Sequence, residues 1–215
     1  MKVLDPGPDI AWLGHDTFKL SGEKVVYTDP YELTVSDQAD IILVTHAHGD
    51  HCSPEDIARV SGPKTQIVAP AECASKLRGR TIHVVRPGDT ITIDGITIEA
   101  VAAYNVSKFR SPGHPFHPQA DGKVGFIVTL KGRRIYHAGD TDLIPEMSKI
   151  TCDIALIPVS GTYVMTAEEG AQAADLIKPK VAIPMHYGAI VGGASDADRF
   201  KQLTHVPVVI LQKGA

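Results

Sequence analysis

Cysteine and long apolar runs are scarce in this sequence. Only three of the 215 residues are cysteines, and because they are scattered and odd in number, a disulfide framework is not expected. No stretch is long and apolar enough to span a bilayer, and the N-terminal segment 1–6 lacks the uninterrupted apolar core of a signal peptide. We therefore expect a cytoplasmic protein that does not cross a membrane.

An excess of positive charge is also missing. The chain carries 21 Lys and Arg residues against 25 Asp and Glu residues, a formal net charge of −4, so no global field attracts nucleic acid or anionic lipid. It has no Gly-x-Gly-x-x-Gly or Walker loop, which leaves a nucleotide-binding function with little support. The hydrophobic content of 43% and the length fit a globular protein with one domain over residues 1–215.

Local patterns predict several elements through their end signals. Ser53 followed by Pro54 predicts the start of one helix, and a capping box that begins at Thr166 predicts another. Apolar alternation over 124–137 around a glycine turn predicts a hairpin, and the apolar run 207–211 predicts a closing strand. Strands and helices do not follow a strict βαβ repeat, which argues against a Rossmann-like fold.

What the sequence does contain is a dense group of metal-binding side chains. His46, His48, Asp50 and His51 directly follow the apolar run 41–44. If the strand pitch persists, His46 and His48 point the same way, while Asp50 and His51 turn toward a second point nearby. Imidazole suits zinc, iron and similar metals, and a carboxylate adds the negative charge that holds a dication. The loop therefore predicts a metal site.

The pattern His-x-His-x-Asp-His after an apolar strand resembles the signature of the metallo-β-lactamase superfamily. Gly-Asp-Thr at 139–141 and His186 at the end of a later apolar strand are similar to further landmarks of that family, in the same order. The segment 14–18 and the pair Asp29-Pro30 resemble the branch that includes ascorbate-6-phosphate lactonase. The resemblance implies an α+β fold, an αββα sandwich of two mixed β-sheets flanked by helices, with the site at one edge.

The resemblance also implies a set of metal ligands shared between two ions. These are His46, His48, Asp50, His51, Asp140 and His186. Asp140 would bridge the ions, since a carboxylate has two oxygens, and Asp50 would also be catalytic by steering a water and passing its proton to the leaving group. We expect two zinc ions per chain, with manganese, iron or nickel as alternatives because metal identity depends on geometry and supply.

One position departs from the family pattern. The superfamily usually places a third histidine for the first metal at the end of the strand before residue 105, whereas this chain has Asn105, whose neutral amide oxygen is a weak ligand. The following loop carries His114 and His117, each either a substitute ligand or a solvated residue. Lys108 and Arg110 in that loop either contact an anionic substrate group or are simply solvated charges.

For three further residues the sequence allows two roles each. His137, just before the Gly-Asp-Thr motif, either faces the cleft as a proton donor or substrate contact, or supports a ligand from behind. Asp29 is either a carboxylate that orients a ligand or a turn residue before proline. His15 belongs either to the rim of the cleft or to the structural interior.

The chemistry that the resemblance implies is hydrolysis by a metal-held hydroxide. We expect an ester, lactone or phosphodiester bond in a small, phosphorylated or acidic metabolite. The alternatives are a mononuclear iron enzyme of oxygen or sulfur metabolism, and a metal-binding interaction module whose catalysis was lost at Asn105. The expected partner is a small-molecule substrate, without nucleic acid or membrane, and a homo-oligomer stays open.

Overall fold

The computed structural model describes residues 10–214, so the expectation for segment 1–6 lies outside the described residues. The first sheet contains β1 (Ile10–Gly14), β2 (Thr17–Ser21), β3 (Val25–Thr28), β4 (Ala39–Leu43), β5 (Ser61–Ala69) and β6 (Ile82–Val84). The second contains β7 (Thr90–Ile93), β8 (Ile96–Ala102) and, after a two-stranded ribbon of β9 (Phe109–Ser111) and β10 (His114–Pro115), also β11 (Val124–Leu130), β12 (Arg133–His137), β13 (Ile154–Pro158) and β14 (Val181–Met185). The α-helices are α1 (Pro54–Val60), α2 (Ala167–Ile177) and α3 (Ala194–Leu203).

Both six-stranded sheets are mixed. The first has the order β1-β2-β3-β4-β5-β6, antiparallel from β1 to β3 and parallel from β3 to β6. The second has the order β14-β13-β12-β11-β8-β7, parallel from β14 to β12 and antiparallel from β12 to β7. Helix α1 packs on β5, α2 on β13 and α3 on β14. The expected αββα sandwich is confirmed.

Strand β4 explains why the sheets stack in this way. Ile41 and Leu43 on one face join the main core between the sheets, which also takes in side chains of both sheets and of α2 and α3. Ile42 on the other face joins a smaller core with Ile57 and Val60 of α1. A central parallel strand covered on both faces needs apolar residues at every position, which is the run that the sequence shows.

The helix starts follow the predicted end signals. Ser53 Oγ accepts a hydrogen bond from Asp56 N at 3.3 Å, with Pro54 in the first turn of α1. At α2, Thr166 Oγ1 accepts from Glu169 N at 3.2 Å and Glu169 Oε2 accepts from Thr166 N at 2.8 Å, so the capping box is confirmed. A cap of this kind contributes about 1 kcal/mol to stability.

The predicted hairpin over 124–137 is confirmed as β11 and β12, whereas the closing strand over 207–211 is wrong as a regular strand. That segment meets β14 at a single bridge between Val208 and Ala182. Ala182 N donates to Pro207 O at 2.9 Å, and Val209 N donates to Ala182 O at 3.1 Å. Because Pro207 has no N–H, it cannot donate a backbone hydrogen bond that would extend the pairing into a regular strand.

Within residues 10–214, no helix is both long enough and apolar enough to cross a membrane. The sandwich brings the carboxyl ends of β4, β12 and β14 to one edge, where the segments that follow them carry His46, Asp140 and His186. Ligand sites of open α/β sheets form at such strand ends because loops with polar side chains converge there. The fold therefore gathers residues that lie far apart in the sequence.

Candidate metal centre

Asp29 anchors the start of the metal-binding loop. Its carboxylate is fully buried and accepts hydrogen bonds from Thr45 N at 2.7 Å and from Thr45 Oγ1 at 2.6 Å. It also accepts from His51 Nδ1 at 2.8 Å, while His46 Nδ1 lies 3.0 Å from Thr45 Oγ1. With their Nδ1 atoms engaged, His46 and His51 present Nε2 as the atom that would bind a metal. This geometry favours the orienting role for Asp29 over that of a simple turn residue.

A first group of candidate ligands consists of three histidines, which we call the first cluster. His46 Nε2 lies 2.9 Å from His48 Nδ1, and His117 Nε2 lies 3.3 Å from the same His48 atom. Their ligand atoms all lie within 4.8 Å of one another. His46 and His48 come from the loop after β4, and His117 comes from the segment after the β9–β10 ribbon. Three imidazoles at this spacing can bind one divalent cation.

A second group, which we call the second cluster, combines Asp50, His51 and His186, with His15 beside them. Asp50 Oδ2 lies 3.6 Å from His51 Nε2 and 3.2 Å from His15 Nε2. The ring of His15 packs on that of His186 with centroids 4.1 Å apart. The ligand atoms of all four residues lie within 4.8 Å of one another. A carboxylate with two imidazoles is likewise a set that binds divalent metals.

Asp140 lies between the two clusters with one oxygen toward each. Its Oδ2 is 3.3 Å from His117 Nε2 and 4.0 Å from His46 Nε2, in the first cluster. Its Oδ1 is 3.4 Å from His51 Nε2 and 3.3 Å from His186 Nε2, in the second cluster. A carboxylate placed in this way can bind two cations at once.

The close approach of the Asp140 backbone to the loop after β4 depends on the preceding residue, Gly139. Gly139 has a φ of +64°, and a Cβ at that position would meet Val124 O at 3.0 Å and the side chain of Thr45 at 3.1 Å. Glycine adopts this left-handed conformation without steric cost and leaves the space free. The Gly-Asp order of the motif therefore has a direct structural reason.

Buried polar atoms at this site fit a cation. Among the described residues, His51 Nε2, His186 Nε2 and Asp140 Oδ1 are buried and make no hydrogen bond. Leaving buried polar atoms without a hydrogen bond costs about 1–3 kcal/mol each. Asp140 Oδ1 lies 3.4 Å from His51 Nε2 and 3.3 Å from His186 Nε2, so the convergence of these atoms fits a positive charge held between them. Burial would lower the pKa of His51, but Asp140 and Asp29 outweigh it and raise the pKa well above its usual range, so a metal would displace a proton from Nε2.

Asn105, the position that departs from the family pattern, lies behind His117 rather than in either cluster. Its Oδ1 accepts hydrogen bonds from His117 N at 2.9 Å and from His117 Nδ1 at 2.8 Å. Its Nδ2 donates to Asp142 Oδ1 at 3.1 Å and to Tyr163 O at 2.8 Å. Since both polar atoms of Asn105 are engaged, the geometry favours an orienting role over that of ligand, and His117 supplies the third imidazole.

Other candidate residues lie outside the clusters. His137 is buried, its Nε2 donates to Asp16 O at 2.8 Å, and its Nδ1 accepts from Gly139 N at 3.2 Å. Both ring nitrogens are therefore used within the fold, an arrangement that favours the supporting role of His137 over a contact with the cleft. His114 is exposed on β10. Lys108 Nζ donates to Glu169 Oε2 at 2.6 Å, so its ammonium group is already paired within the protein.

Two residues at the β1–β2 turn were not assigned from the sequence. His15, undecided there, is buried against Asp50 with a φ of +50°. Asp16 is fully buried, with its Oδ2 3.6 Å from His51 Nδ1. One ligand atom each of Asp16, His51, Asp140 and His186 lies within 4.8 Å of the others. The only sequence signal for either residue was the segment 14–18, which resembles the lactonase branch.

The two clusters differ in their electrostatics. In the first cluster, burial lowers the pKa of His46, His48 and His117, the last to about 4, so these imidazoles are neutral and ready to bind a metal. In the second, burial would lower the pKa of His186, but Asp140 and Asp16 outweigh it and raise the value to about 9. The carboxylates there favour positive charge, whether a proton or a metal ion supplies it.

Asp50 is a candidate ligand whose side chain is partly exposed. Burial alone would raise its pKa, but the hydrogen bond from His15 and the charge of His51 outweigh burial and lower the pKa to about 2. Asp50 lines a cavity of about 210 Å³ together with Asp140 and residues of the first cluster. A larger cavity of about 630 Å³, between the second sheet and segment 144–151, contains none of the candidate ligands.

This fold and the paired clusters are accompanied by clear relationships to known proteins. The sequence model of the "Beta-lactamase superfamily domain" matches residues 9–186. A UPF0173 metal-dependent hydrolase of Thermoplasma acidophilum is 38% identical over 212 residues, covering 90% of this chain and 89% of that protein. A second one, from Pyrococcus abyssi, is 36% identical and covers 95% and 96% of the two chains.

Solved structures agree with this relationship. A crystal structure from Parabacteroides distasonis is 37% identical, with a TM-score of 0.80 and coverage of 94% of this chain and 93% of that one. A metallo hydrolase of Ignicoccus hospitalis is 25% identical, with a TM-score of 0.78 and coverage of 96% and 95%. The chain therefore belongs to the beta-lactamase superfamily and, within it, to the UPF0173 metal-dependent hydrolases.

Proposed function

We propose that this protein hydrolyses an ester, lactone or phosphodiester bond in a small phosphorylated or acidic metabolite, with two divalent cations held at the paired clusters. The observation that carries the proposal is the position of Asp140, which directs one oxygen toward each cluster at 3.3 Å from a ligand nitrogen. The metals are expected to be zinc, with manganese, iron or nickel as alternatives.

Each cation would take three ligands of its own and share Asp140. The first would be held by His46, His48 and His117, and the second by Asp50, His51 and His186. Divalent cations bound in this way lower the pKa of water to near neutrality and polarise the oxygen of the bond to be cleaved. The membership in a family of metal-dependent hydrolases supports this chemistry.

Residues around the metal centre orient the candidate ligands, and Asp50 lies at the cavity through which a substrate would reach them. Asp50 is 26% exposed and lines the cavity, so it can accept a hydrogen bond from the attacking water and pass a proton to the leaving group. His15 fixes the Asp50 carboxylate from the buried side. Asn105 and Asp29 fix His117 and His51 in the same manner.

Two alternatives are less well supported. A mononuclear iron enzyme needs one complete ligand set, whereas this chain has two sets that share a carboxylate. An interaction module whose catalysis was lost at Asn105 would need a missing ligand, and the position of His117 Nε2 3.3 Å from His48 Nδ1 supports a complete set of three imidazoles instead. Both observations favour the dinuclear hydrolase.

The test is substitution of the shared carboxylate. Asp140→Asn keeps the shape of the side chain but removes its charge, and we expect loss of metal and at least about a hundredfold loss of turnover. Turnover would be measured with 4-nitrophenyl acetate, γ-butyrolactone and bis(4-nitrophenyl) phosphate, one probe for each bond class. Asp198→Asn, at an exposed carboxylate of α3, is the matched control and should retain both metal and turnover.

Retention of full turnover by Asp140→Asn would overturn the proposal. A metal-loaded native protein that cleaves none of the three probes would contradict the proposed bond classes.

A further inference from the structure

The segment that leads past the metal centre contains a cation, Arg110, whose guanidinium is not used in an ion pair or hydrogen bond with any described residue. Arg110 lies on β9 and lines the cavity beside the candidate ligands, and among the described residues it makes neither an ion pair nor a hydrogen bond. Lys108, two residues earlier, is by contrast tied to Glu169 at 2.6 Å. Of the two cations that the sequence suggested for an anionic substrate, only Arg110 is therefore available to a ligand.

Arg110 lies over one of two aromatic rings that line the same cavity. Its guanidinium carbon lies 5.7 Å from the centroid of the Phe116 ring, a cation–π arrangement. The Phe116 ring meets the Tyr163 ring edge to face, with centroids 4.7 Å apart and an angle of 75° between the planes. The three side chains thus form a wall with a positive end and an aromatic face.

The backbone that carries this wall is fastened to the metal centre. Asp142 Oδ2 accepts hydrogen bonds from Val106 N at 2.8 Å and Ser107 N at 2.6 Å, at the start of the segment that leads to β9. Tyr163 O accepts from Asn105 Nδ2 at 2.8 Å, the same amide that orients His117. Tyr163 also has a φ of +68°, a left-handed conformation that is uncommon for residues other than glycine.

The cavity limits what can bind. Its volume of about 210 Å³ is below the usual range of about 300–1,000 Å³ for ligand pockets, so it accommodates a small molecule. A guanidinium donates two parallel hydrogen bonds to a carboxylate, sulfonate or phosphate group, and aromatic walls bind flat apolar groups.

We propose that Arg110, Phe116 and Tyr163 form a specificity subsite for substrates with a flat body and an anionic end, the anion on Arg110 and the body on the rings. This subsite rests on the proposed function, because it places the bond to be cleaved at the paired clusters. It assigns substrate choice to residues of β9, of the segment after β10 and of the loop between β13 and α2, and not to the metal ligands.

The test compares two probes that differ in charge. 4-Acetoxybenzenesulfonate carries the anion, and 4-(methylsulfonyl)phenyl acetate is its neutral counterpart of nearly the same shape. For Arg110→Gln we expect the KM of the sulfonate to rise about tenfold or more, with the kcat and the sulfone kinetics within twofold. Arg110→Lys should recover part of the loss, and Arg78→Gln, at an exposed arginine that does not line this cavity, should change nothing.

A binding experiment separates this proposal from the hydrolytic one. The cleavage products 4-hydroxybenzenesulfonate and 4-(methylsulfonyl)phenol would be titrated calorimetrically into the metal-loaded full chain. Arg110-dependent preference for the sulfonate would support the subsite even if neither acetate were cleaved, in which case the hydrolysis proposal would fail alone. Equal binding of both products by the native chain, or no effect of Arg110→Gln, would overturn the subsite even with full hydrolysis.

Discussion

The two clusters of the metal centre have similar ligand counts but different electrostatic surroundings. The first cluster consists of neutral imidazoles, and its added member His117 is oriented by the neutral amide of Asn105. The second contains the carboxylate of Asp50 and lies against the buried carboxylates of Asp29 and Asp16. Because negative charge holds a dication more firmly than neutral donors do, the second position should bind its metal more tightly.

The largest expected effects come from removing one ligand of each cluster. His117→Ala should empty the first position and leave about one metal per chain, whereas His51→Ala should empty the second. Elemental analysis after gel filtration measures the outcome directly. His114→Ala, at the exposed neighbour on β10, is the matched control and should retain both ions. Loss of both metals in His117→Ala would show that the clusters are not separable.

Substitution of the orienting residues should have intermediate effects. Asn105→Ala removes the acceptor of His117 Nδ1 and should weaken the first metal about 10–100-fold while leaving the second unchanged. Asp29→Asn should weaken both metals, because Asp29 contacts His51 directly and reaches His46 through Thr45. Competition with a fluorescent chelator gives both affinities. Gln119→Ala, exposed near the same loop, should behave like the native chain.

The smallest and most specific effect concerns pH. The pKa of His186 is raised to about 9 in the metal-free protein, so at neutral pH this imidazole holds a proton that the metal must displace. Affinity at the second position should therefore fall as the pH decreases from about 9. Since the pKa of His117 is lowered to about 4, affinity at the first position should stay level until the pH approaches that value.

Calorimetry in buffers of different ionisation enthalpy measures the protons released on metal binding. Release of protons at neutral pH on filling the second position, and not the first, is the expected result. Equal release at both positions would contradict the electrostatic difference between the clusters.

The sequence predicted the fold and most of the candidate ligands because the relevant signals are local. His46, His48, Asp50 and His51 lie in one loop after a buried strand, and the αββα architecture follows from the family resemblance, which is confirmed. The metal-ligand roles themselves stay predictions, as does the likeness to the lactonase branch. The capping box at Thr166 was predictable because a capping box involves only residues close in sequence.

The remaining features depend on tertiary structure. His114 and His117 were equivalent in the sequence, and only the course of the chain after the ribbon brings His117 toward His48. His15 reaches Asp50 because the β1–β2 turn packs beside His186, a contact between distant segments. The two roles left open for His137 could not be separated in the sequence because this residue adjoins the Gly-Asp-Thr motif, and only the folded chain brings its ring nitrogens to Asp16 O and Gly139 N.

The most direct test of the account is the metal content of the native chain, purified without chelator and measured element by element. We predict two equivalents of a divalent metal per chain, zinc or manganese before iron or nickel, and stepwise loss under a chelator with the first cluster emptied first. A single equivalent of iron, or no tightly bound metal after reconstitution, would contradict it.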